Sequence, residues 1–76
     1  MREFLEYIAK QLVDHPDAVS LTEEEKDGKT VFKLKVGETD VGKIIGKKGR
    51  TAQAMRVLLS AVAAKNGKRA ILEVLD

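Results

Sequence analysis

The sequence predicts an α+β domain of order αββααβ, in which a three-stranded sheet carries helices on one face. Apolar residues recur at helical spacing in two long segments and alternate with polar residues in two shorter ones. The pair Asp27-Gly28, typical of tight turns, separates the alternating segments. With 76 residues, 43% of them hydrophobic, the chain is expected to form a single domain over residues 1–76.

The first half of the chain predicts a helix and a β-hairpin. Residues 2–14 place Leu5, Ile8 and Leu12 on one side of an amphipathic helix, and Pro16 disfavours its continuation. Residues 18–24 and 30–36 predict the two strands of the hairpin. Alternation in the second strand predicts a packed face and an open face, formed by Phe32, Leu34 and Val36 and by Val31, Lys33 and Lys35 respectively.

The second half predicts two helices and a strand. Residues 41–45 indicate a short helix, whose free N–H groups the side chain of Thr39 or Asp40 could cap. Residues 50–65 carry a broad apolar stripe and predict the longest helix. Residues 70–75 are nearly all apolar and predict the last strand.

The segment between these two helices, Gly46-Lys47-Lys48-Gly49, is the main functional signal. Glycines tolerate positive φ and let a phosphate approach the backbone amides, while the lysines add charge. The helix that follows directs its free N–H groups to the same place. The segment therefore indicates a nucleic-acid-binding loop. An alternative is that the glycines only end one helix and start the next, with solvated lysines between them.

Other phosphate-binding loops are excluded by the spacing. A nucleotide P-loop needs four residues between its glycines and a hydroxyl after the Gly-Lys pair, whereas three residues separate Gly42 from Gly46 and Lys48 follows Lys47. The dinucleotide fingerprint needs a Gly-x-Gly pair, but two residues separate Gly46 from Gly49. Enzymes that use nucleotide cofactors are therefore not indicated.

The distribution of charge supports a polyanionic partner. Residues 1–40 carry six basic and ten acidic side chains, whereas residues 41–69 carry eight basic side chains and no acidic one. The modest net charge of +2 conceals this separation. Positive potential is therefore concentrated in the part of the chain that holds the loop.

Catalysis and membrane spanning find no support in the sequence. The chain has no cysteine, and His15 is its only histidine, at a position where a helix end stopped by proline explains it. We assign no catalytic residue, metal ligand, cofactor or small-molecule substrate. Without an apolar run of about 18 residues, the expectation is a cytoplasmic protein with no membrane contact.

The segment from Val41 to Thr51, with its Ile-Ile-Gly-Lys-Lys-Gly-Arg-Thr run, resembles the KH domain of the bacterial type, or type II. The resemblance covers the whole chain, places the family's GXXG loop at 46–49, and is strongest to the KhpA family of stand-alone KH proteins. It implies an RNA-binding protein that clamps about four nucleotides of single-stranded RNA. A single groove with few base-reading donors predicts little sequence preference, and the lack of a catalytic constellation predicts that the protein is not an enzyme. The implied RNA-binding residues are Gly42, Lys43, Ile44, Ile45, Gly46, Lys47, Lys48, Gly49 and Arg50, with Lys33 and Lys35 as outer contacts.

The resemblance also implies how bases are held. Ile44 and Ile45 would form an aliphatic floor, and the few aromatic residues of this chain do not allow a stacking platform of the RRM kind. Many KH domains have a bulky aliphatic residue where this chain has Ala52. This departure predicts a shallower floor for the base-binding groove, which would affect base selectivity more than RNA binding.

Partners are inferred from the longest helix and from the resemblance. Apolar residues occupy nearly every side of this helix, which predicts a homodimer, although the same residues could simply be buried or harmless. The resemblance implies pairing with KhpB, a second KH-containing protein. It also implies an RNA-chaperone-like role in post-transcriptional regulation of growth, division and cell shape. The alternatives are a protein-interaction module whose loop contacts an acidic partner, and binding of single-stranded DNA.

Overall fold

The computed structural model describes residues 2–75 and confirms the predicted α+β order. Its helices and strands are α1 (Arg2–Leu12), β1 (Ser20–Lys26), β2 (Lys29–Lys35), α2 (Val41–Ile45), α3 (Arg50–Lys65) and β3 (Arg69–Leu75). Short 3₁₀ turns precede β1, α2 and α3, at Pro16–Ala18, Glu38–Asp40 and Lys47–Gly49. The first of these turns occupies the start of the segment predicted as β1, so the strand begins at Ser20 and not at residue 18.

The sheet is mixed and has β2 at its centre. β1 pairs antiparallel with β2, as the hairpin prediction requires, and β3 pairs parallel with the other side of β2. Asp27 and Gly28 both have positive φ, 52° and 76°, which suits the tight turns that match strand twist. β1 and β3 are therefore the two edge strands.

The core lies between one face of the sheet and the three helices. Phe32 and Leu34 of β2 face it, whereas Lys33 and Lys35 alternate to the opposite, open face. Residues from every helix and strand complete it, chiefly Leu5, Ala9, Leu21, Ile44, Met55, Leu59 and Leu72. Within residues 2–75, no helix combines the length and the apolar character that crossing a membrane would need.

Asp40 ties the α1–β1 connection to the start of α2. It stands at the N-cap position of α2, but its carboxylate makes no capping bond there, contrary to the sequence prediction. It accepts instead from the backbone N–H groups of Asp14, at 3.2 Å, and His15, at 2.9 Å. Burial of this carboxyl raises its pKa, but these two donors and Lys43 outweigh that effect, so the pKa lies below its ordinary value.

Each edge strand accepts a side-chain hydrogen bond from an arginine on a helix. The Nη2 of Arg2 on α1 donates to the carbonyl of Leu21 on β1 at 2.7 Å. The Nε of Arg56 on α3 donates to the carbonyl of Leu72 on β3 at 3.2 Å. Each bond satisfies a backbone acceptor on a strand that lacks an outer neighbour within residues 2–75.

Candidate nucleic-acid interface

The GXXG loop is a tight turn that joins α2 to α3. Gly46 ends α2 with φ 78° and ψ 174°, and its N–H donates to the carbonyl of Gly42 at 2.8 Å. The N–H of Gly49 donates to the carbonyl of Gly46 at 3.1 Å, so the turn closes on itself. Gly49 and Lys48 are both left-handed, with φ 73° and 59°. This backbone leaves Lys47 and Lys48 exposed at its tip.

The two glycines of the loop are needed for different reasons. A Cβ at Gly46 would lie 2.6 Å from the Cβ of Thr51 and 2.9 Å from its backbone nitrogen, so no side chain fits there. A Cβ at Gly49 would meet no atom within 4 Å, and only its positive φ favours glycine. Sequence reasoning missed Thr51, because its packing over Gly46 depends on how α3 leaves the turn.

Three cations surround the N-terminus of α3 without compensation. Lys47, Lys48 and Arg50 are exposed, and their side chains make no ion pair within the described part of the chain. The first turn of α3 holds no acidic residue, and its N-cap, Gly49, has no side chain to cap the free N–H groups. Positive charge at the positive end of a helix dipole is unfavourable, and a bound anion would relieve it.

Lys43 differs from these cations because carboxylates hold it. Its ammonium bonds the carboxylate of Asp14 and lies 3.4 Å from Oδ1 of Asp40. The hydrogen bond to Asp14 is the main cause that raises the pKa of Lys43 above its ordinary value, against an opposing effect of desolvation. Its charge is therefore partly neutralised within the domain, which weakens the expectation that it contacts phosphate.

The two isoleucines before the loop occupy different environments. Ile44 is 0% exposed and belongs to the core, which corrects the expectation that it forms part of a base-contacting floor. Ile45 is 37% exposed and remains available on the surface of α2. Ala52 is 3% exposed, so its small side chain affects packing beneath α3 and not the depth of a groove. Gly42 is exposed, and a Cβ there would meet no atom within 4 Å.

Lys33 and Lys35 are not brought together with the loop. They lie on the open face of the sheet, opposite the face that the helices cover. The ammonium of Lys33 is 3.4 Å from Oε1 of Glu24, so part of its charge is paired. Among residues 2–75, no group of three or more histidine or carboxylate side chains is placed to hold a metal ion.

A GXXG turn between two helices, packed on a mixed sheet of three strands in αββααβ order, defines a KH-type domain. The model of the KhpA/KhpB KH-domain family matches residues 2–74, and the chain belongs to that family.

Relatives agree with this assignment, and a solved structure shares the fold. The protein "RNA-binding protein KhpA" of Borreliella burgdorferi is 50% identical over 97% of this chain and 90% of its own length. Proteins of the same name from Chlamydia pneumoniae and Listeria monocytogenes are each 46% identical over the whole chain, and over 97% and 100% of their own lengths. A crystal structure of Aquifex aeolicus Era, 21% identical, superposes on 95% of this chain with a TM-score of 0.59. The superposed region is 28% of the Era chain, and this likeness shows a shared fold alone.

Proposed function

We propose that this protein binds single-stranded RNA, and that the GXXG loop holds the phosphate backbone. The observation that carries the proposal is the uncompensated charge of Lys47, Lys48 and Arg50 around a glycine turn at the N-terminus of α3. A phosphodiester chain supplies the anion that this arrangement lacks. The names of the relatives, each an RNA-binding protein, support the same choice of polyanion.

The surface beside the loop favours a short footprint with little sequence preference. We infer contacts with about four nucleotides, as for other KH domains. Ile45 and the open backbone at Gly42 would lie under the bases, and phosphate contacts would supply most of the affinity. Stacking on aromatic rings has little part in this mode, because Phe32 is 3% exposed, and Phe4 and Tyr7 lie on α1.

The loop is tested with the double variant Lys47→Gln/Lys48→Gln. Each phosphate contact in a single strand contributes about 0.7 to the slope of log affinity against log salt. Loss of two contacts lowers the slope by about 1.4, equivalent to roughly tenfold weaker binding near 0.15 M salt. Fluorescence anisotropy with labelled oligouridylates measures both quantities. The control Lys10→Gln/Gln11→Glu makes the same change of net charge on the exposed side of α1.

Two outcomes would contradict the proposal. RNA affinity that does not change in the loop variant would favour a protein-interaction module, in which the loop contacts an acidic partner. Equal or tighter binding of DNA of the same sequence would favour single-stranded DNA, because phosphate and aliphatic contacts do not inspect the 2′-OH.

We also propose a homodimer formed through one side of α3. Leu58 and Val62 are four residues apart on one helix face and are 47% and 42% exposed, whereas Leu59 and Ala63 lie in the core. A dimer would link two RNA sites and raise the apparent affinity. Sedimentation equilibrium should show a dimer that Leu58→Glu dissociates and that Val57→Glu, on another side of α3, leaves intact. A monomer at all concentrations would contradict the dimer.

The wider role is proposed from family membership. We infer a cytoplasmic protein that pairs with KhpB and acts, like an RNA chaperone, in post-transcriptional regulation of growth, division and cell shape. The family description that matches this chain includes KhpB, which supports the pairing. Crosslinking to cellular RNA, with the wild-type chain and with the loop variant, tests the role. Equal recovery of RNA by both would contradict it.

A further inference from the structure

A second group of cations lies at the opposite end of α3 from the GXXG loop. Lys29, Lys68 and Arg69 line a surface cleft of about 270 Å³, which we name the basic cleft. The rest of its lining is small or aliphatic, formed by Ser60, Ala64, Ala70 and Ile71. The cleft lies where α3 ends and β3 begins, beside the outer edge of the sheet. Small residues here leave room for a ligand to reach the cations.

The charges of the basic cleft are unfavourably arranged in the domain alone. The strand register places Lys29 opposite Arg69 on one side and opposite Lys26 on the other, so three cations form a row across the sheet. Like charges directly opposite one another destabilise a sheet. Within residues 2–75, neither this row nor Lys68 forms an ion pair or a side-chain hydrogen bond. An anion in the cleft would relieve the repulsion.

The carboxylates near these cations are either paired or on the helix-facing side of the sheet. Glu24 shares the open face with Lys26 and lies 3.4 Å from the ammonium of Lys33. Glu23 and Glu25 line an adjoining cleft of about 200 Å³ on the helix-facing side of the sheet, which Lys68 and Arg69 also border. Glu25 accepts a hydrogen bond from Thr30 at 2.8 Å. Glu23 and Glu25 disfavour a polyanion in the adjoining cleft, whereas the lining of the basic cleft includes no acid among residues 2–75. A phosphate chain is therefore directed to the outer of the two clefts.

One exposed side of α3 connects the loop with the basic cleft. Gln53, Val57, Ser60 and Ala64 recur at i, i+4, i+7 and i+11, share one helix face, and are all exposed. Ser60 and Ala64 also line the cleft. The 16 residues of α3 rise about 1.5 Å each, so roughly 24 Å separates its ends. A strand held at the loop can follow this face to the cleft.

We propose that the basic cleft is a second phosphate-binding site, which holds nucleotides of a single-stranded RNA beyond those at the GXXG loop. The inference rests on the proposed RNA binding. It extends the footprint from about four nucleotides to a longer segment that runs the length of α3. RNA affinity should therefore keep rising with length after the loop is filled.

The test compares RNA lengths with the variant Lys29→Gln/Lys68→Gln in the full chain. Oligouridylates of about four nucleotides, the KH footprint, and of about three times that length are titrated by anisotropy. The variant should bind the short RNA as wild type does. It should bind the long RNA roughly tenfold more weakly near 0.15 M salt, with a salt slope lower by about 1.4. The control is again Lys10→Gln/Gln11→Glu, which should change neither titration.

A second measurement is independent of RNA. Because the variant removes repulsion from the cationic row, its thermal unfolding midpoint should equal or exceed that of wild type. If Lys29→Gln/Lys68→Gln lowers the midpoint, or binds the long RNA as tightly as wild type does, the inference is overturned. The loop variant Lys47→Gln/Lys48→Gln tests the proposed function separately. If the loop variant changes neither titration, the proposed function fails, and the inference fails with it.

Discussion

Gly42→Ala should make the domain more stable and its RNA binding weaker. Gly42 is the second residue of the five-residue helix α2, is exposed, and has open space where a Cβ would stand. Alanine in a helix interior is favoured over glycine by about 0.5–1 kcal/mol, and a position this near the helix start takes the lower value. A gain of about 0.5 kcal/mol raises the unfolding midpoint of a domain this small by about 2–4 °C.

The same methyl group would stand where we propose that an RNA strand passes over α2. Because the methyl group would hold the RNA strand away from the backbone of α2, we expect RNA binding to weaken on the order of tenfold, or by about 1.4 kcal/mol. Differential scanning calorimetry and anisotropy on the same samples measure the two effects. Gln11→Ala, which improves helix propensity on α1, is the control and should leave RNA affinity unchanged. If Gly42→Ala is more stable but binds RNA as tightly as wild type, Gly42 has no role in the approach of RNA. If the variant is less stable than wild type, the space around Gly42 is not open.

Three further predictions concern the fold that presents the loop. Gly46→Ala should destabilise the domain by about 2–5 kcal/mol in urea unfolding, since it adds a clash with Thr51 to an unfavourable φ. Gly49→Ala has only the unfavourable φ and should cost about 1–2 kcal/mol. Equal losses of stability in the two variants would contradict this difference. The pKa of Asp40 is lowered on folding, so its stabilising effect is complete above its ordinary pKa of 3.8 and is lost as the pH falls through the folded value. Asp40→Asn should therefore lower the unfolding midpoint at pH 7 and flatten its fall toward pH 3, and an unflattened curve would count against the assignment. Leu34→Ala, at a position 0% exposed in the core, should cost about 2–5 kcal/mol in the same unfolding assay, and a loss below about 1 kcal/mol would show that the cavity collapses.

The features that sequence predicted best depend on neighbouring residues alone. Asp27-Gly28 specifies its turn through two positive φ angles, and both are present. The length of α3 follows from its own apolar pattern, and residues 50–65 form the helix as predicted. The GXXG turn is also local, because Gly46 and Gly49 supply the backbone angles that it needs.

The features that sequence missed depend on residues far apart in the chain. Asp14 lies 29 residues from Lys43, so no local pattern shows that the carboxylate of one holds the ammonium of the other. Ile44 and Ile45 are adjacent and chemically identical, and only the packing of α2 against α3 decides which one is buried. The alternation of β2 places Val31 on the open face, where an exposed side chain is expected. Val31 is only 9% exposed, because the strands on both sides of β2 cover it.

The arginine bonds at both sheet edges bear on how copies of this protein can associate. An unprotected edge strand is a template on which further chains can add without limit, and β3, with its Ile71 and Leu75, has the composition that favours such growth. Because Arg2 and Arg56 engage carbonyls on those edges, an incoming strand must displace a guanidinium before it can pair. Addition of a further strand at either edge is thereby disfavoured, which limits open-ended stacking of copies of this protein.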